Sequence, residues 1–117
     1  MRNFIRLYQP AIEEDTIHVS ITNQLPPDAG PISVVCKSKD DDLGNHTLTV
    51  NQDFHFDFCV KPFVTLFYCS VRWGNKVASF DVYNAMWLIS PCESYKSCRY
   101  YANDKGIFLG SKFWNNW

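Results

Sequence analysis

The sequence contains no run of about 18 apolar residues, so it offers no transmembrane helix. It also has almost no net charge: 11 Lys and Arg stand against 12 Asp and Glu, a formal −1. That balance excludes the basic stripe of an ordinary nucleic-acid binder and gives no reason to expect attraction to anionic lipid. No stretch keeps a helical period of 3.6 over three turns. Internal repeats, low-complexity tracts and linkers are absent. Met1 to Pro10 lacks a basic segment followed by a long apolar one. No signal peptide is therefore visible, and the expectation is a chain numbered from a mature or engineered boundary.

What is present is aromatic and β-branched. Nine Phe, six Tyr and four Trp make up 16% of the 117 residues. Such side chains suit pleated surfaces better than helices. The length suits one domain with one core, expected over residues 1–117 with the core at about 15–110 and an aromatic tail at 111–117.

Alternation with period two recurs along the chain. Ile17, Val19 and Ile21 share one face of Thr16 to Asn23, and Ile32, Val34 and Cys36 share one face of the next segment. Leu48 and Val50 follow. Phe54, Phe56 and Phe58 then oppose His55, Asp57 and Cys59. Phe67, Cys69, Val71 and Trp73 line one face of Val64 to Trp73. Shorter strands are expected at Ser79 to Tyr83, Arg99 to Asn103 and Gly106 to Leu109. Turn-forming residues separate them, at Pro26 to Pro31, Asp40 to Asn45, Asn51 to Asp53, Gly74 to Lys76 and Asn103 to Gly106. The expected fold is all-β, an antiparallel β-sandwich of about seven or eight short strands.

Five cysteines are dense for a cytosolic chain and ordinary for a secreted domain with two bridges and one cysteine over. Cys36 and Cys69 lie on apolar strand faces, and Cys92 and Cys98 flank a long loop, Asn84 to Ser97. Cys59 opposes the three phenylalanines, which makes it the expected free thiol. Four cysteines allow three connectivities, and sequence does not choose among them. The pairing expected here is Cys36–Cys98 with Cys69–Cys92, which would tie both ends of the loop to core strands. A structural zinc site is disfavoured, because Cys92 and Cys98 are too widely spaced for a zinc knuckle. Asn45-His46-Thr47 is a sequon for N-glycosylation at Asn45.

Several ordered motifs resemble one family. Val34-Val35-Cys36-Lys37-Ser38-Lys39-Asp40-Asp41-Asp42-Leu43-Gly44 is similar to the most distinctive motif of the plant self-incompatibility S1 family, the S-protein homologues. Phe54-His55-Phe56-Asp57-Phe58 resembles its F-x-F-x-F strand, and Thr65-Leu66-Phe67-Tyr68-Cys69 through Trp73 its T-L-F-x-C…W strand. Phe80-Asp81-Val82-Tyr83, the pair Cys92 and Cys98, and Gly106-Ile107 follow in the family's order. Two departures stand out. Cys98-Arg99-Tyr100 replaces a tighter cysteine pair followed by Trp, which passes a core contact to Tyr100, and Cys59 is extra. The resemblance implies a secreted, disulfide-braced β-sandwich. It also implies a ligand for a cell-surface receptor, since the founding members reject self pollen by signalling through a pollen membrane protein.

Catalytic and metal chemistry find little support in the residues. Asp40, Asp41 and Asp42 lack the spacing of a calcium loop and read as a solvated turn, with Gly44 supplying a positive φ. His18, His46 and His55 read as exposed strand or turn histidines, with no Ser or Cys in a recognised nucleophile motif. Cys59 and His55 lie roughly 13 Å apart along one strand, too far for a dyad. No enzyme, cofactor or metal is expected. The partner expected is a receptor protein, with no nucleic acid and no membrane insertion, and the chain is expected to be a monomer.

Recognition is expected in loops on the rigid scaffold. The candidate contacts are Asp40, Asp41, Asp42, Asn45, Trp87, Glu93, Tyr95 and Lys96. The loop Asn84 to Ser97 carries Met86, Trp87, Leu88 and Ile89, and either folds onto the core or meets a partner. The tail from Phe113 to Trp117 is expected to pack over a sheet edge or apolar patch. The second functional reading is a secreted carbohydrate- or cell-wall-binding module, stacking Trp and Tyr on sugar rings.

Overall fold

Period-two alternation over four to nine residues leaves one face of each segment apolar, and that face has to be covered by another sheet. The computed structural model describes residues 4–6, 16–94 and 96–117, with Arg6 described in its backbone only. Among the described residues ten strands form: β1 Phe4–Arg6, β2 Thr16–Asn23, β3 Ile32–Lys37, β4 Asp42–Leu48, β5 Asp53–Cys59, β6 Leu66–Trp73, β7 Lys76–Asn84, β8 Ser97–Asn103, β9 Gly106–Leu109 and β10 Lys112–Asn115. No helix occurs among the described residues.

The strands build two sheets. One has six strands in the order β1-β5-β2-β8-β9-β10, the other four in the order β4-β3-β6-β7. Their apolar faces meet. Phe56 and Phe58 of the larger sheet pack on Phe67 of the smaller at centroid distances of 5.2 and 4.5 Å, and Phe80 packs on Tyr100 at 5.5 Å. Phe54, Phe56 and Phe58 are all buried. Burying a side chain of this size contributes about 1.5–3 kcal/mol.

Sheet pairing departs from the sequence expectation in several places. The sandwich is not wholly antiparallel: β1 pairs with β5, and β2 with β8, in parallel. β1 and β10 were not expected as strands. β10 continues the sheet past β9, so the aromatic tail is built into the fold. Trp117 donates its indole N–H to the Asn103 carbonyl at 2.7 Å and packs on Trp73 at 5.4 Å. Gly106, at φ 140, makes room for this, because a Cβ there would lie 2.6 Å from the Asn115 carbonyl oxygen. β4 begins at Asp42, so only residues 38–41 form the acidic turn. Gly44 still takes φ 82, inside the strand, where Asp42 Oδ1 accepts its N–H at 3.0 Å.

The disulfides correct the expected pairing of Cys36 with Cys98 and Cys69 with Cys92. The bridges are Cys36–Cys69 and Cys92–Cys98. Cys36 and Cys69 are register partners on neighbouring strands, with Cα atoms 4.1 Å apart. A disulfide needs Cα atoms within about 7 Å of each other, which these register partners meet without any adjustment of the strands. Each bridge is local: one lies across a strand pair, the other across a six-residue separation at the entry to β8.

Tyr100 takes up the core position expected of it. It is fully buried and donates its hydroxyl to the Val82 carbonyl at 2.8 Å. Burial pushes its phenol pKa well above the ordinary value, and the nearby Asp81 charge adds to the shift.

Candidate recognition surface

Strand directions bring three connections to one end of the sandwich. The β3–β4 turn lies there because β3 ends and β4 begins there. Lys37 pairs with Tyr68 and Leu66 with Asn84, so the start of β6 and the end of β7 share that end. The β5–β6 connection, residues 60–65, and the β7–β8 connection, residues 85–96, therefore stand beside residues 38–41. The Ala85 N–H ties two of them together by donating to the Thr65 carbonyl at 2.8 Å.

Among the described residues, all the large exposed hydrophobic side chains except Val77 and Phe113 lie at this end. Phe63 is 78% exposed, Met86 61%, Leu88 100% and Ile89 86%, with Val64, Leu66 and Tyr68 beside them. Phe63 is also held at φ 64, a conformation that a bulky L-residue seldom adopts. The turn that holds it is tied by Val64 N–H and Thr65 N–H to the Lys61 carbonyl, at 3.0 and 3.1 Å, and by Lys61 N–H to Thr65 Oγ1 at 2.8 Å.

Two open grooves flank the 60–65 connection. One, of 340 Å³, runs between the acidic turn and β6, with Asp40, Asp41, Cys59, Lys61, Leu66 and Tyr68 among its walls. The other, of 320 Å³, is walled by Pro62, Phe63, Tyr83, Trp87 and Leu88. Trp87 is half-buried, edge-on to Tyr83 at 5.7 Å and to Trp114 at 6.0 Å. The long loop thus divides. Trp87 folds onto the aromatic core, while Met86, Leu88 and Ile89 point to solvent.

The other candidate contacts scatter. Asp41 is engaged with Ser38, whose hydroxyl accepts the Asp41 N–H at 3.1 Å. Asp42 and Asn45 lie in β4, an edge strand; Asp42 sits 3.8 Å from Lys37 Nζ, and Asn45 Oδ1 accepts the Ser33 hydroxyl at 2.6 Å. Glu93 borders a separate depression with Arg99 and Tyr101. Lys96 uses its carbonyl to accept the His18 N–H at 2.8 Å. Tyr95 lies outside the described residues. Cys59 is a free, half-buried thiol. The described residues contain no cluster of three or more His, Cys, Asp or Glu placed to hold a metal ion, and no helix among them is long and apolar enough to cross a membrane.

Sequence reasoning overlooked two features. The first is the 60–65 connection. Its signal is the apolar pair Phe63-Val64 directly after Pro62, of which Val64 falls inside the expected strand Val64 to Trp73 and Phe63 lies just before it. The second is a correction. Asp57, expected on an open face, is buried at 4% exposure and pairs with His18 Nδ1 at 2.7 Å. β5 is flanked on both sides, by β1 and β2, so its outward residues are hemmed in by neighbours.

Comparison with known proteins places this geometry in context. A family model described as plant self-incompatibility protein S1 matches residues 18–117. Among curated proteins of Arabidopsis thaliana, S-protein homolog 5 is 45% identical over 56 residues, 47% of this chain and 44% of that protein. S-protein homolog 29 is 41% identical over 68 residues, 57% and 50% of the two chains. S-protein homolog 24 is 33% identical over 82 residues, 66% and 51%. The matched segments thus span about half the length of these relatives. No solved structure matches the chain.

Proposed function

The chain belongs to the plant self-incompatibility S1 family, and from that premise we propose that it is a secreted recognition ligand whose loop end docks on a cell-surface receptor protein. The observation that carries this reading is the concentration of exposed apolar side chains at the end built from residues 38–41, 60–65 and 85–96. Exposing such a cluster costs solubility, and a contiguous apolar patch rimmed by polar residues marks an interaction site more often than bare surface. The rim here is polar, with Lys39, Asp40 and Lys61 beside Val64 and Leu66.

Secretion is supported by two disulfides, which persist in oxidising compartments. Asn45 is exposed on an edge strand, so a glycan there would protect the sheet edge from strand addition. The chain acts as one domain and as a monomer in this reading. It performs no catalysis.

The test is saturable binding of the folded, oxidised protein to intact plant cells, with and without prior protease treatment of the cells. The expected result is protease-sensitive binding that Phe63→Ser combined with Leu88→Ser weakens by about tenfold or more, the scale of losing a hot-spot contact. Binding that the double variant leaves unchanged sinks the loop-end assignment.

A further inference from the structure

The outward face of the six-stranded sheet carries a second cluster, distinct in its residues from the exposed apolar tip. Two transverse rows follow from the strand register. In one, Phe4, His55, Ser20 and Arg99 stand side by side on β1, β5, β2 and β8. In the next, Asp57, His18 and Ser97 stand side by side on β5, β2 and β8. Together they line an open cleft of 480 Å³.

Both imidazoles in the cleft are oriented by carboxylates. His18 Nδ1 lies 2.7 Å from Oδ1 of the buried Asp57, and His55 Nδ1 lies 2.9 Å from Oδ2 of Asp53. A carboxylate at Nδ1 accepts a hydrogen bond from the ring N–H there and fixes the ring, which leaves Nε2 as the free functional edge. The His18 and His55 side chains are 46% and 45% exposed, so these edges reach solvent. Arg99 is exposed and forms no ion pair among the described residues. The hydroxyls of Ser20 and Ser97 complete the floor.

We propose that this cleft is an oxyanion-binding site, in which Arg99 and the free imidazole edges of His18 and His55 receive a carboxylate or phosphate group. The donor set is what such a group requires: a planar guanidinium, two ring N–H donors when the imidazoles are charged, and neutral hydroxyls between them. The backbone N–H groups of β5, β2 and β8 are committed to the sheet ladder, so side chains alone supply the donors. The charged groups facing the cleft are His18 on β2, His55, Asp57 and Asp53 on β5, and Arg99 on β8. Arg6 stands opposite Asp57 in the register, and Glu93 borders the adjoining depression. The carboxylates of Asp57 and Asp53 are engaged with the imidazoles. An incoming anion is thus favoured once those imidazoles carry charge, because each Nε2 then presents an N–H donor.

The experiment is a calorimetric and NMR titration of the oxidised full chain with trigalacturonate, inorganic phosphate and uncharged maltotriose, at about pH 5.5 and about pH 8. Saturable binding of either anion at the lower pH, weakened about tenfold or more at the higher pH and by Arg99→Gln or His55→Gln, supports the site. Preference for trigalacturonate assigns a sugar acid, and preference for phosphate a phosphorylated ligand. His18→Gln gives the same loss, with near-UV circular dichroism checking that Asp57 has not disrupted the fold. Lys76→Gln, at the opposite end, is the control. Failure of both anions to bind at the lower pH overturns the proposal, as does binding indifferent to Arg99→Gln or equal binding of maltotriose.

Discussion

Cys36 and Cys69 face each other across β3 and β6 of the smaller sheet, both fully buried, and their bridge staples two neighbouring strands instead of joining the two sheets. The cross-link closes a separation of 33 residues and encloses β4 and β5. β4 stays in the smaller sheet and β5 crosses to the larger. The bridge therefore restrains a segment that crosses between the layers twice, from β4 to β5 and from β5 back to β6.

Peptide mapping of the unreduced protein is expected to give Cys36 linked to Cys69 and Cys92 linked to Cys98, with Cys59 alkylated without reduction. In the chain-entropy picture the longer bridge stabilises by about 4 kcal/mol and the shorter by about 2 kcal/mol. Urea denaturation of the double variants Cys36→Ala/Cys69→Ala and Cys92→Ala/Cys98→Ala checks the order. A larger loss from the second pair contradicts it.

Tyr100 couples stability to alkaline pH. Its folded-state pKa is raised above the unfolded value, so the folded chain holds the phenol proton more tightly. The contribution is complete below about pH 10 and falls by about 1.4 kcal/mol per pH unit above it. Tyr100→Phe removes this term and leaves the Val82 carbonyl without its donor, at a cost of about 1–3 kcal/mol near neutrality. The measurement is urea stability against pH for both proteins. Parallel curves above pH 10 would refute the linkage.

Asn23 ties the two layers through polar groups. Its Nδ2 donates to the Leu48 carbonyl of β4 at 2.9 Å, while its Oδ1 accepts the Leu25 N–H at 2.9 Å. The side chain is fully buried. Asn23→Ala strands a donor and an acceptor, with an expected loss of about 2–4 kcal/mol in thermal or chemical unfolding. Asn23→Asp keeps the acceptor but loses the donor and is expected to be at least as damaging at neutral pH, since it buries a charge.

The exposed loop end makes little contribution to folding. Phe63→Ser with Leu88→Ser is expected to change unfolding free energy by less than about 1 kcal/mol, because surface substitutions usually stay within about 0.5 kcal/mol each. The same change is expected to lower binding of a hydrophobic dye to the native protein. Loss of cooperative unfolding would show that these side chains belong to the core.

Much of the sandwich is legible from alternation. Ile17, Val19, Ile21, Val34, Phe54, Phe56 and Phe58 are assigned inward by period two, and all are buried. Strand ends are less legible. Asp42 to Asn45 carry turn-forming residues, yet they extend β4, because pairing with Lys37 and Val35 outweighs local preference. The recognition surface is legible only in part. Leu88 and Ile89 stand out as apolar residues in a loop, whereas Val64 looks like the start of a strand until the turn at Lys61 is seen, and Phe63 just before it draws no notice.

By itself the sequence determines that this protein is all-β, which side chains face inward along most strands, that Cys59 opposes the core-facing phenylalanines, and which family it resembles. Those properties are local, carried by period and motif within a few residues. Only the tertiary structure decides which cysteines meet, that Asp57 lies buried beside His18, and that three distant connections gather at one end. Each of these depends on strand order and register. Many pairings satisfy the same alternation, and the one that forms is selected by packing the whole core at once.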